Sequence, residues 1–218
     1  MNYRSDAEAA RRVVDGIGGR GGHAVAVKAD VSVEAEVARL FEECDHKLGP
    51  LIGLVNNAGI LETQTRVEEI DAARLGRIFA TNVFGAFLCA REAVRRMSAR
   101  FGGHGGAIVN VSSVAARLGA PGEYVDYAAS KGALDTFTVG LAGEVAADGI
   151  RVNGVRAGYI YTDMHASGGE PNRVGRVKAN VPMKRGGHPE EVANAIAWLL
   201  STEASFVTGS FIDVAGGR

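Results

Sequence analysis

Three features of the sequence predict an α/β fold with a doubly wound parallel sheet. Segments that read as strands alternate with segments that read as helices along the whole chain. Several strands, such as Leu51–Val55 and Ala107–Val111, are apolar without alternation, which marks strands covered on both faces. Asp30, Asn56, Ser113 and Gly158 all fall at strand ends. Open α/β sheets bind ligands outside the carboxyl ends of their strands, so these residues share one edge.

The 218 residues suit one domain with a substantial core. A hydrophobic content of 46% and a charged content of 22% are ordinary for a soluble protein. The net charge of −1 leaves no electrostatic footprint for nucleic acid or an anionic membrane. No apolar run reaches the roughly 18 residues that a transmembrane helix needs. Met1–Asp6 has no apolar core of a signal peptide. Cys44 and Cys89 sit in apolar helical patterns and read as core fillers, so a reducing, cytoplasmic setting is expected. The five histidines show no ligand spacing, and no metal is expected.

Ser5-Asp6-Ala7-Glu8 reads as a capping box opening a helix to about Asp15. Gly16-Ile17-Gly18-Gly19-Arg20-Gly21 matches G-x-G-x-x-G, but a helix precedes it and a strand follows. A phosphate cradle needs the reverse order, so this stretch is expected to be a loop. A strand over His23–Lys28 follows, then a helix capped by Ser32 with Val33, Val37, Leu40, Phe41 and Cys44 on one face. After the Leu51–Val55 strand come helices over about Asp71–Ala80 and Thr81–Met97. The Ala107–Val111 strand leads through a Gly/Pro loop (Gly119–Asp126) to a helix ending near Ala147. Ile150–Val155 is a strand, His165–Arg185 is expected to be mobile, Pro189 opens a helix to Leu200, and Ser210–Val214 is the last strand.

Tyr127 and Lys131 lie one helical turn apart on one face. An ammonium beside a phenol favours the phenolate, so Lys131 is expected to pull the Tyr127 pKa down toward the range of a general acid or base. Alone, Tyr-x-x-x-Lys also occurs on many solvated helices. Its company makes it specific. Asp30-Val31, Asn56-Asn57-Ala58-Gly59, Asn82, Ser113, Tyr127-x-x-x-Lys131 and Thr162 beyond Arg156-Ala157-Gly158 stand in an order that resembles the short-chain dehydrogenase/reductase family. The likeness covers essentially the whole chain.

The resemblance implies an oxidoreductase that moves a hydride between NAD(P)(H) and a carbonyl or secondary alcohol. Tyr127 would donate or accept the proton, Lys131 would hold the cofactor ribose, Ser113 would orient the carbonyl, and Asn82 would fix a proton-relaying water. Asp30 and Val31 would meet the adenine, while Asn57, Ala58 and Gly59 would let the cofactor pass close to the backbone. Gly158, Ile160 and Thr162 would face the nicotinamide. Asn82 equally suits a helix kink or cap, and Asp30 a helix cap. Tyr124 and Tyr161 read as substrate-loop or surface residues, and Ser112 as the structural member of its pair. His165 reads as lining the expected mobile segment beside the site.

Some details depart from the family pattern. Ala157 stands where a proline is usual, and the spacing of 14 from Ser113 to Tyr127 is one residue longer than is usual. The extra residue is expected to make Gly119–Asp126 bulge over the substrate pocket. The family's first strand, T-G-x-x-x-G-x-G loop and first helix have no counterpart, while Met1-Asn2-Tyr3-Arg4-Ser5 resembles the end of its second strand. The natural chain is therefore expected to begin upstream by one β-α unit of about 30 residues. Asn2, Arg4 and Ser5 suit the 2′-phosphate of NADP better than the ribose hydroxyls of NAD. Relatives pair through the helices that correspond to Leu75–Met97 and Ala128–Ala147, so a homodimer or homotetramer is expected. A cofactor-free, inactive homologue or assembly partner is the alternative.

Overall fold

The computed structural model describes residues 1–218. Strand β1 (Asn2–Tyr3) pairs in parallel with β2 (Val27–Lys28), and the second sheet runs β3 (Gly53–Asn56), β4 (Gly106–Ser113), β5 (Ile150–Ala157), β6 (Phe211–Val214). Every pairing is parallel. The order matches the doubly wound scheme, with β1 and β3 each keeping an unpaired edge.

Helices α1 (Ala7–Gly18) and α2 (Glu34–Leu48) belong to the first two crossovers. Then come α3 (Ala72–Phe79), α4 (Gly85–Met97), α5 (Ala115–Leu118), α6 (Val125–Val145), α7 (Met164–Ser167), α8 (Arg173–Val177) and α9 (Pro189–Leu200). None is long and apolar enough to cross a membrane.

The longest strands, β4 and β5, form the spine. Ile108, Val152 and Ile150 face a cluster with Val37, Phe41, Cys89, Ala93, Met97 and Val145, while Val109 and Val155 pack against Val192 and Leu199 of α9. Both faces of β4 and β5 are therefore covered, as the Ala107–Val111 run requires, but the run holding β3, at the sheet edge, leaves Ile52 and Val55 exposed, against the expectation for Leu51–Val55. Cys89 fills this core, and burial raises its thiol to about 12. Cys44 is half-buried and unpaired. A buried amide ladder crosses the spine. Asn56 Nδ2 donates to Asn110 Oδ1 at 2.9 Å, and Asn110 Nδ2 donates to Thr138 Oγ1 at 2.8 Å. It fixes β3, β4 and α6 in register with satisfied polar groups.

Several expectations need correction. Asp6, not Ser5, caps α1 by accepting from Ala9 N at 2.8 Å. The helix runs on through Gly16 to Gly18, so only Gly19–Gly22 of the glycine cluster lies in the turn beyond it. The strand over His23–Lys28 shrinks to Val27–Lys28, a short pairing that matches the two residues of β1. Ser32 does not cap α2; its N–H and hydroxyl both donate to Asp30. Helices α3 and α4 are joined by one π-helical turn, Ala80–Phe84, so the helical backbone runs on without a break. The His165–Arg185 segment is not a structureless loop: it forms α7 and α8 and buries Arg173, Val174, Val177 and Val181.

Candidate active site

The candidate residues gather at the carboxyl ends of the strands. Ser113 ends β4, and its hydroxyl donates to Ala157 O at 3.3 Å while accepting from Ala115 N. Its hydroxyl also acts on the Tyr127 phenol, favouring the ionised form. Ser112, its neighbour, is buried and reaches only Lys131 O, at 3.4 Å. Tyr127 sits in the first turn of α6 and Lys131 one turn later, its Nζ 5.6 Å from the phenol ring centre. Lys131 is buried and donates to Val111 O at 2.7 Å.

Asn82 lies in the π-turn, where the widened helix aims its side chain across to the loop after β3. Its Oδ1 accepts from Ile60 N at 2.7 Å, and its Nδ2 donates to Ile60 O and to Ser130 Oγ, both at 3.0 Å. Ser130 in turn donates to Tyr127 O at 2.7 Å. A Cβ on Gly59 would stand 3.5 Å from both Asn82 Oδ1 and Lys131 Nζ, so Gly59, Asn82 and Lys131 converge on one spot.

The electrostatics run against the simple expectation. Lys131 was expected to lower the Tyr127 pKa. Instead, burial holds the phenol above its usual value, with the Ser113 hydroxyl and the Arg173 charge opposing that rise. Burial also brings Lys131 down to about 8, with Asp135 opposing. The ammonium therefore loses its proton before the phenol does. Near neutral pH Lys131 is still largely charged, and it gives up that charge as pH rises through about 8.

A cleft of about 730 Å³ opens beside the loop after β3, lined by Arg4, Asp30, Gly59, Ile60, Glu62, Arg77 and others. Asp30 has its carboxylate lowered chiefly by the Ser32 hydroxyl. Arg4 is exposed and makes no hydrogen bond or ion pair with the protein. A volume within the usual range for ligand sites, with a free guanidinium, fits a nucleotide phosphate. Ser5 is exposed nearby. Asn2 departs from expectation: its Nδ2 donates to Ala29 O at 2.8 Å and bridges the two short strands. Val31 also departs, being buried in the core, where Gly85 lets α4 approach; a Cβ there would stand 2.7 Å from Val31 Cγ2.

Asn57, Ala58 and Thr162 are exposed, Gly158 is half-buried and Ile160 is buried. At Gly158 a Cβ would press within 2.7 Å of Ala215 Cα, so glycine is required by packing as well as by any ligand. Tyr124, expected on the surface or in a substrate loop, is 1% exposed, and its hydroxyl donates to Gly168 O at 3.0 Å. Tyr161 is exposed as expected. His165 is half-buried, and its Nε2 lies 2.9 Å from Ile160 O.

Sequence reasoning missed Arg74, Asp126 and Arg173, which are buried around the start of α6. The only local signal was an aspartate in the first turn of a helix.

The whole chain, residues 1–218, matches the family model described as enoyl-(acyl carrier protein) reductase. It is 62% identical to the uncharacterized oxidoreductase YgfF of Escherichia coli, over 100% of this chain and 88% of that protein. It is 36% identical to glucose 1-dehydrogenase 2 of Bacillus subtilis, over 100% of this chain and 83% of that protein. It is also 36% identical to the chloroplastic NADPH-dependent aldehyde reductase 1 of Arabidopsis thaliana, over 88% of this chain and 65% of that protein. With its parallel sheet and its full-length match, the chain belongs to the short-chain dehydrogenase/reductase family of oxidoreductases.

Proposed function

We propose that the protein is an NADP(H)-dependent carbonyl reductase or alcohol dehydrogenase in which Tyr127 moves the proton. The observation that carries this reading is the convergence of Ser113, Tyr127 and Lys131 at one sheet edge, next to a cleft holding the free Arg4. NADP(H), when bound, supplies or takes the hydride. Arg4 would hold its 2′-phosphate and Asp30 its adenine, with Lys131 against the ribose and Ile160 and Thr162 toward the nicotinamide. The NADPH-dependent name of the Arabidopsis relative supports the choice of cofactor.

The chain's own residues divide the remaining work. The Ser113 hydroxyl hydrogen-bonds the substrate oxygen and turns the carbonyl for attack. The Tyr127 phenol, kept protonated by burial, donates to the developing alkoxide, which suits carbonyl reduction near neutral pH. Lys131, at about 8, can regain and pass on a proton in the same range. Asn82 holds the Ile60 loop and, through Ser130, the first turns of α6.

No turn among residues 1–218 joins a strand to a helix N-terminus through glycines spaced to cradle a pyrophosphate. The free edges of β1 and β3 would take a further parallel strand between them. We assign that place, and the cradle, to an upstream β-α unit. The exposed apolar residues Phe84 and Phe87 of the α3–α4 segment and Val139 of α6 fit pairing of two copies through these helices. Sedimentation would return a dimer or tetramer.

The deciding experiment is a fluorescence titration with NADPH, followed by NADPH oxidation against a panel of ketones and aldehydes. It is run on the 218-residue chain and on one extended through the upstream reading frame. Micromolar binding and turnover by the extended chain are expected. Absence of both from the extended chain would favour the inactive-homologue reading.

A further inference from the structure

Only two arginines are buried, Arg74 at 9% and Arg173 at 7% exposed. Both clamp the start of α6. Arg74, on α3, donates from Nε to Asp126 Oδ2 at 2.6 Å, and the Asp126 side chain is wholly buried. The other Asp126 oxygen accepts the Tyr127 backbone N–H at 2.8 Å. Arg74 Nη1 also donates to Thr63 O at 2.7 Å, tying in the loop after β3. Arg173, on α8, donates from Nη2 to Glu123 Oε2 at 2.5 Å. Its guanidinium lies 4.3 Å from the Tyr124 ring centre and 5.4 Å from that of Tyr159. Glu123, Tyr124 and Asp126 thus receive two cations from two separate elements within four residues of chain, directly before Tyr127.

Stability alone does not explain the arrangement. Desolvating an ion pair often cancels its attraction, and apolar side chains of equal volume do as well or better. Each arginine also keeps one buried N–H without an acceptor, Nη2 of Arg74 and Nε of Arg173. Buried donors are rarely left so, and departures of this kind gather at functional sites.

We propose that Arg74 and Arg173 are positioning residues for Tyr127. The Arg74–Asp126 pair fixes the helical turn that aims the phenol, and Arg173 holds Glu123 and Tyr124 just before it with a permanent positive charge. This rests on the reading of Tyr127 as the proton donor. A guanidinium stays charged at every working pH, whereas Lys131 does not. The Arg173 charge opposes the effect of burial on the phenol. The charged or titratable groups around Tyr127 are Lys131 on its own helix, Glu123 and Asp126 at the helix start, Arg74 on α3, and Arg173 on α8. His165 and Glu170 flank Arg173.

The test needs a readout that a merely structural role would not move. Ultraviolet difference titration of each protein against its Tyr127→Phe counterpart isolates the Tyr127 phenolate without any substrate. Arg173→Met should raise the Tyr127 transition by about half a pH unit or more, and Arg173→Lys should recover most of that rise. Asp126→Asn, which keeps an oxygen for the Tyr127 N–H but loses the charge pair, should lower kcat about tenfold with KM little changed. Arg74→Met should do the same where it folds, and Asp126→Asn decides the matter where it does not. An unmoved transition in Arg173→Met, together with wild-type kcat in Asp126→Asn, would overturn the proposal. Turnover retained by Tyr127→Phe would instead defeat the functional reading, leaving the titration result standing.

Discussion

The four-stranded sheet and the two-stranded sheet are built to different standards. In the first, β4 and β5 pair over eight residues, from Gly106–Ile150 to Ser113–Ala157. It carries Ser113 at the end of β4 and rests directly on α6, the helix of Tyr127 and Lys131. In the second, two pairs of residues hold β1 to β2, helped by the Asn2 amide. That sheet carries Arg4 and Asp30, the residues proposed to choose the cofactor. Chemistry needs groups held to fractions of an ångström, so it sits on the deep sheet. Attraction of a charged phosphate falls off slowly with distance, so Arg4 can do its work from a shallow one.

The largest expected effect probes the deep half. Tyr127→Phe should lower turnover by about 10²–10⁴-fold in a steady-state assay while leaving the melting temperature close to wild type. A loss under tenfold would separate the deep sheet from the chemistry. Next comes stability. Asn110→Ala breaks the buried amide ladder, leaving Asn56 only Ala86 O and Thr138 only Leu134 O, and should cost about 2–4 kcal/mol in urea unfolding. Asn2→Ala, across the shallow sheet, should cost about 1 kcal/mol or less. Equal losses would erase the distinction between the two sheets.

Lys131→Met sharpens the same contrast. Because the folded value is about 8 against an ordinary 10.5, the unfolded chain binds more protons between those limits. Wild-type stability should therefore be lowest relative to the variant below pH 8 and recover by up to about 3 kcal/mol as pH rises toward 10.5. Urea midpoints measured across that window check it; a flat difference would mean that the ammonium carries no burial cost. The smallest effect concerns the shallow half. Arg4→Ala should weaken NADPH about tenfold in the upstream-extended chain, leave NADH unchanged, and shift stability by no more than about 0.5 kcal/mol.

Much of this was legible in the residues themselves. The apolar run at Ala107–Val111 announces a strand covered on both sides, and β4 is one; β3 lies in the other run, at Leu51–Val55, which leaves Ile52 and Val55 exposed. Pro189 marks the start of α9, and the helix runs Pro189–Leu200 as expected. The pairing of Tyr127 with Lys131 follows from helical geometry alone. Less visible was the π-turn at Ala80–Phe84, because a single extra residue in a helical turn leaves no periodic trace. The fate of His165–Arg185 was also hidden. Its charged residues look like solvated surface until Glu123, Glu170, Arg173 and Arg176 are seen bonded to one another.

The sequence by itself determined the fold class, the strand-end placement of Asp30, Asn56 and Ser113, and the one-turn spacing of Tyr127 and Lys131. Each follows from local periodicity and chain order. Only the tertiary structure decided that burial would bring Lys131 down to about 8 while holding the Tyr127 phenol above its usual value. It also decided that Arg74 and Arg173, 99 positions apart, would converge on the start of α6. Desolvation and charge depend on what surrounds a group in space, and neither the period of a helix nor the length of a strand encodes those surroundings.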